Sequence, residues 1–79
     1  MPARLLTDLT RVPPGMLERV LKAIARLDQW PNVSGAKPLR GDLVGHYRLR
    51  VGDWRIVFRI EGTDALVVGV AHRKDIHED

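Results

Sequence analysis

The strongest pattern in the chain is a two-residue alternation that runs from His46 to Ile60 and is broken only at Gly52-Asp53. Side chains on a strand point to opposite faces in turn, so each half of this stretch reads as a half-buried strand. A two-residue loop that begins with glycine suits a type II′ turn, whose twist matches the strands it joins. The pattern therefore predicts an antiparallel hairpin in which Val51 faces Trp54. Counting back from that pair puts Leu49 opposite Ile56 and Tyr47 opposite Phe58 on one apolar face. The other face carries Arg50 opposite Arg55, Arg48 opposite Val57, and His46 opposite Arg59.

Other segments are placed around this hairpin. Glu61-Gly62-Thr63-Asp64 reads as a turn, and residues 65–71 as a third strand. Its larger side chains, Leu66, Val68 and Val70, are expected in the core, with Val67, Gly69, Ala71 and Arg73 beside the arginines. Toward the N-terminus, Leu5, Leu6, Leu9 and Val12 recur at helical spacing, which predicts a short amphipathic helix over residues 2–11, stopped by Pro13-Pro14. A second helix starts at Pro14, a residue suited to the first turn. Its apolar stripe is Leu17, Val20, Leu21, Ile24 and Leu27, and its wet face is Glu18, Arg19, Lys22 and Arg26. Trp30-Pro31-Asn32 ends it, and residues 28–45 read as an ordered loop. The expected architecture is α+β: an N-terminal helical hairpin packed on one face of a small, mainly antiparallel sheet, with the positive face left open.

Composition narrows what such a surface can do. The 79 residues form one domain, residues 1–79, of a size that buries about 60 to 65% of its unfolded surface. Cysteine is absent, which removes disulfides, thiolate metal sites and a thiol nucleophile. The N-terminus has neither a long apolar run nor a small-residue cleavage site, so a cytoplasmic protein without a membrane partner is expected. The net charge of +3 fits a polyanionic partner, and clustering matters more than the total. Like charges directly opposite one another destabilise a strand pair by ~0.2 to 1 kcal/mol, so the Arg50/Arg55 pair points to an anion that relieves it. His46, His72 and His77 lack ligand spacing and stand among arginines, so no metal or other cofactor is expected. His72 alternates with Arg73 and is expected on the core side or at the sheet edge.

Three blocks, taken in order, carry a resemblance: Lys37-Pro-Leu-Arg-Gly-Asp-Leu, Tyr47-Arg-Leu-Arg-Val-Gly-Asp-Trp-Arg-Ile-Val-Phe, and Val70-Ala-His-Arg-Lys-Asp-Ile. Together they resemble the C-terminal half of RelE-type toxins of bacterial and archaeal toxin-antitoxin modules, in the RelE/ParE superfamily. That resemblance implies a ribosome-dependent, metal-independent endoribonuclease that cuts messenger RNA and inhibits translation. The 2′-hydroxyl attacks the neighbouring phosphate, and a cognate antitoxin blocks the toxin. By position, it assigns Arg48, Arg50, Arg55 and Arg73 to charge stabilisation around the phosphate, which matches the reading from alternation. His77 stands where many relatives carry a tyrosine and is the candidate for base stacking or proton transfer. Lys37, Arg40, His46, Arg59 and Lys74 extend the positive surface as candidate RNA-binding residues.

The chain departs from the family pattern in two respects. Relatives begin with a strand before the first helix, and the helical reading of residues 2–11 leaves none here. The exposed edge would then be covered by strand exchange in a homodimer or by an antitoxin in a hetero-oligomer, or the chain is a truncated copy. The second departure is the histidine at 77. The alternatives are a ParE-like toxin that inhibits DNA gyrase and an inactive module that only binds its antitoxin.

Overall fold

The computed structural model describes residues 3–75. The hairpin forms as the alternation dictates. Strand β3 (His46–Val51) pairs antiparallel with β4 (Trp54–Glu61), and the partners are Val51 with Trp54, Leu49 with Ile56, Tyr47 with Phe58 and Arg50 with Arg55. Gly52 adopts φ +59 while Asp53 stays at negative φ, which identifies the type II′ turn, in which only the first central residue needs the left-handed region. Strand β5 (Asp64–His72) continues the meander against β4.

The N-terminus corrects the expected helical hairpin. Residues Ala3–Leu5 form a strand, β1, which pairs in parallel with β5 through Ala3 with Ala65, Arg4 with Leu66 and Leu5 with Val67. The amide of Leu6 extends this ladder by donating to the Val67 carbonyl at 2.8 Å. The N-terminal strand that the helical reading leaves out is therefore present. It covers the edge of β5, and partner exchange is not needed to protect that edge. Leu5 and Leu6 are 46% and 56% exposed, so their helical spacing marks no buried stripe. The residues that follow form a turn in which Asp8 accepts hydrogen bonds from the Thr10 amide and hydroxyl. Pro2 lies outside the described residues.

There is one α-helix among the described residues, α1 (Pro14–Arg26). It starts where expected, with Pro14 in its first turn and the Pro13 carbonyl accepting from the amides of Met16 and Leu17. A 3-10 turn, Leu27–Gln29, closes it. Its buried line is Val20, Ala23 and Leu27, flanked by Met16, Leu17 and Ile24, whereas Leu21 is 48% exposed. The small Ala23 lies at the centre of the buried line, and Leu21 falls outside it. This helix covers the Leu49/Val51/Ile56/Phe58 face.

The sheet order is β1-β5-β4-β3-β2, with β2 (Lys37–Pro38) a two-residue strand inside the expected loop. Trp30 closes the core where the helix ends, its ring edge-on to Tyr47 at 4.8 Å and to Phe58 at 5.5 Å. Strand β5 also differs from expectation in its first half. Ala65 and Val67 join the core cluster under the helix, Leu66 is buried at 7% exposed but outside that cluster, and Val68 is only half-buried, because a bulge places Phe58 opposite Val67 but Val57 opposite Gly69. Val68 is the extra residue. Past it the alternation is reset, so Val70 packs on the core while Gly69 and Ala71 lie beside Val57 and Arg55 as expected.

Candidate nucleic-acid interface

The arginines converge at the end of the sheet that holds the Gly52-Asp53 turn. Arg50 and Arg55 are cross-strand partners, which places their Cβ atoms about 5 Å apart. Ala71 is the neighbour of Arg55 on the other side. Its short side chain leaves that guanidinium the room it occupies. Arg73 is brought to the same end by the turn itself: its amide donates to the Asp53 carbonyl at 2.8 Å, and its guanidinium lies 3.8 Å from the Asp53 carboxylate. It sits in the 3-10 turn Arg73–Asp75 just past β5. Arg48 is one step further along β3, opposite Val57.

These four side chains differ in environment. Arg48 is 8% exposed and Arg55 5% exposed, whereas Arg50 and Arg73 lie in the open. The Arg55 Nη1 donates to the carbonyls of Gly52 at 3.3 Å and Trp54 at 3.2 Å, which orients the guanidinium against the turn. Planar guanidinium groups with fixed donors match the paired oxygens of a phosphate. Two buried arginines, one of them oriented by the turn, beside two exposed ones combine pre-organised charge with mobile charge, an arrangement suited to a phosphate that gains charge during reaction.

The remaining candidates are dispersed. Lys37 pairs with Arg48 in the register of β2 and β3, which puts it beside the cluster. Arg40 is exposed in the loop after β2. His46 and Arg59 face each other at the far end of the hairpin, where Arg59 is engaged by Glu61 at 2.7 Å. These three are not brought to the Arg50/Arg55 end. Among the described residues the buried His46 Nδ1 has no hydrogen-bond partner. Lys74 is exposed next to Arg73, and its amide donates to His72 Nδ1 at 3.2 Å. His72 packs its ring edge-on against Trp54 at 5.5 Å, a structural position. His77 lies outside the described residues. Among the described residues, no three His, Cys, Asp or Glu side chains come together as a metal-holding group.

Helix α1 adds residues that sequence reasoning left on a wet face. Strand β2 covers β3 only at Tyr47 and Arg48. Beyond it, two adjoining clefts open between β3 and the helix. One, of about 320 Å³, is lined by Arg26, Ser34, Lys37, Arg48 and Arg50, among others. The other, of about 290 Å³, includes Arg19, Lys22, Arg26 and Arg50 in its lining. Arg26 is fixed by Nη2, which donates to the Ser34 carbonyl at 2.8 Å and to its hydroxyl at 3.2 Å. The spacing of 19, 22 and 26 puts these three on one helical stripe. Which part of the sheet that stripe overlooks is set by tertiary packing alone.

Comparisons with known proteins bear on the family and the fold. The profile of the family described as ParE toxin of type II toxin-antitoxin system, parDE, matches residues 4–77. The chain is 38% identical over 73 residues to toxin RelG of Mycobacterium tuberculosis, an alignment covering 89% of this chain and 83% of that protein. Its fold is similar to a chain in the RelBE2 toxin-antitoxin complex of the same organism, with a TM-score of 0.75 and 30% identity over 90% of this chain and 95% of that one. A chain in the RelB-RelE complex of Methanococcus jannaschii shares the fold at a TM-score of 0.72 and 24% identity, covering 90% of this chain and 91% of that one.

Proposed function

The chain belongs to the ParE toxin family of type II toxin-antitoxin systems, within the RelE/ParE superfamily, and from that premise we propose that it is a ribosome-dependent endoribonuclease that cleaves messenger RNA. The observation that carries this reading is the convergence of Arg48, Arg50, Arg55 and Arg73 at one end of the sheet through the register of β3 and β4 and the Arg73–Asp53 contacts. A structural sheet gains nothing from placing two arginines opposite each other. A phosphate-binding surface does.

The chemistry follows from that charge. Attack of a 2′-hydroxyl on the adjacent phosphorus forms a P–O bond and places a second negative charge on the non-bridging oxygens. Expulsion of the 5′-oxygen then leaves a 2′,3′-cyclic phosphate and a 5′-hydroxyl. Oriented guanidinium groups stabilise the crowded charge of that transition state more than the ground state, which is what accelerates the step. Arg55, held by two carbonyls, is the main stabiliser, and Arg50 and Arg73 clamp the phosphate from solvent. Arginine stays protonated and does not serve as a base. Proton transfer is assigned to His77, whose imidazole can accept from the 2′-hydroxyl or donate to the leaving oxygen.

In this reading the partners are the ribosome with its bound message and a cognate antitoxin that neutralises the surface in a toxin-antitoxin hetero-oligomer. The antitoxin assignment is supported by the toxin-antitoxin complex of Mycobacterium tuberculosis, one chain of which shares this fold at 30% identity. The site of action is the cytoplasm, where ribosomes are found. Among the described residues no helix is long and apolar enough to cross a membrane.

Primer extension on messages isolated after induction tests the proposal. Codon-positioned cuts that disappear in Arg55→Ala and Arg73→Ala are expected. Growth arrest without such cuts, accompanied by gyrase-linked DNA breaks, would overturn the ribonuclease reading in favour of a gyrase inhibitor.

A further inference from the structure

We propose that the two clefts between α1 and the end of β3 form a continuous track for the ribose-phosphate backbone of a single RNA strand flanking the cleaved phosphate. This rests on the endoribonuclease reading and extends it to residues that the sheet does not carry. The track is lined by six cations, Arg19, Lys22, Arg26, Lys37, Arg48 and Arg50, and the linings of both clefts contain no carboxylate and no aromatic ring. Arg26 and Arg50 line both clefts, so the positive surface is uninterrupted from the helix to the strand. Arg50 is also the partner of Arg55, which joins the track to the sheet-face cluster.

Three observations favour a nucleic-acid backbone over a peptide. An acidic peptide needs apolar anchors to bind with affinity, and the linings offer only Leu49, Val51 and Ala23 besides glycine, all three already packed in the core or buried. A peptide added as a strand would need a free edge, yet β3 extends only from Leu49 to Val51 between the end of β2 and the turn at Gly52. The guanidinium most central to the track is pre-positioned: Arg26 is held through Nη2 by Ser34. Among the described residues Lys22 is partly offset by its ion pair with Glu18 at 3.1 Å, whereas Arg50 and Lys37 make no ion pair. Successive phosphates need such repeated, modest contacts more than one strong site.

The test uses the full chain and non-cleavable 2′-O-methyl RNA oligonucleotides of four and twelve nucleotides, with affinity read by fluorescence anisotropy across a salt series. Arg19 and Lys22 are exposed on α1, so the double change R19A/K22A preserves the fold, as a circular dichroism melt checks; Arg26→Gln is the companion variant. The double change is expected to weaken twelve-nucleotide binding by about tenfold at low salt, to leave four-nucleotide binding unchanged, and to lower the salt slope by about 0.7 for each phosphate contact removed. An unchanged slope and affinity in both variants overturns the proposal. So does loss of antitoxin affinity with intact oligonucleotide binding, which would make the track a peptide site. Because the oligonucleotides cannot be cut, failure here is distinguishable from a failure of the cleavage reading, which Arg55→Ala and Arg73→Ala address.

Discussion

Arg50 and Arg55 stand directly opposite each other across β3 and β4, yet Arg50 lies in solvent and Arg55 is 5% exposed. Arg55 turns its guanidinium back onto the carbonyls of Gly52 and Trp54, whereas Arg50 points its charge to solvent. The two residues should therefore respond differently to truncation. Arg55→Ala leaves carbonyls at the turn without their donor and is expected to cost about 1 to 3 kcal/mol of stability as well as cleavage. Arg50→Ala is expected to lower cleavage with the urea midpoint unchanged or raised. Urea denaturation beside a single-turnover cleavage assay separates the two.

The hairpin turn gives a second expectation. A Cβ on Gly52 would be strained at φ +59 and would meet the Met16 side chain at 3.2 Å. Gly52→Ala is expected to destabilise by more than about 1 kcal/mol, and to loosen the Asp53 contacts that hold Arg73. Gly15, in the first turn of α1, has nothing within 4 Å of such a Cβ. Gly15→Ala is expected to be neutral or to stabilise by up to about 1 kcal/mol. Thermal melts of the two variants should move in opposite directions or only the first should move.

How far the sequence disclosed the molecule depends on what specifies each part. The β3-β4 hairpin was legible because a glycine-led turn and strict alternation define one register, and that register alone places Arg48, Arg50 and Arg55. The start of α1 was legible from Pro13-Pro14. Strand β1 was not: three residues are too few to display a period of two, and Leu5, Leu6, Leu9 and Val12 happen to fit a helix. What makes Ala3–Leu5 a strand is the open edge of β5, a non-local partner. The track residues Arg19, Lys22 and Arg26 were visible as a stripe, but a charged stripe looks the same whether it overlooks solvent or a neighbouring strand.

If β1 is stabilised by backbone pairing, substitutions at Leu6 should sort by their effect on the amide. Leu6→Pro removes the donor to Val67 and is expected to lower stability by about 1 kcal/mol or more. Leu6→Asp keeps the amide and changes only an exposed side chain, so a shift within about 0.5 kcal/mol is expected. Equal losses would mean that the side chain, as in a packed helix, supplies the stability.

The bulge in β5 makes the sharpest claim about register, because all residues from Ala65 to Val68 are apolar and alternation cannot choose between them. Val67 is fully buried in the core against Phe58, its cross-strand partner, whereas Val68 is the extra residue and only half-buried. Truncating a fully buried valine loses transfer energy and leaves a cavity, so Val67→Ala is expected to cost about 2 kcal/mol. Val68→Ala should cost well under half of that. Past the bulge, Gly69 and Ala71 lie beside Val57 and Arg55. Deleting Val68 removes the bulge but leaves Phe58 opposite Val67, Val57 opposite Gly69 and Arg55 opposite Ala71, so the floor beside Arg55 is kept and cleavage should fall no further than the loss of stability explains. Urea midpoints for the two truncations, with cleavage rates for the deletion at matched folded fraction, test both expectations.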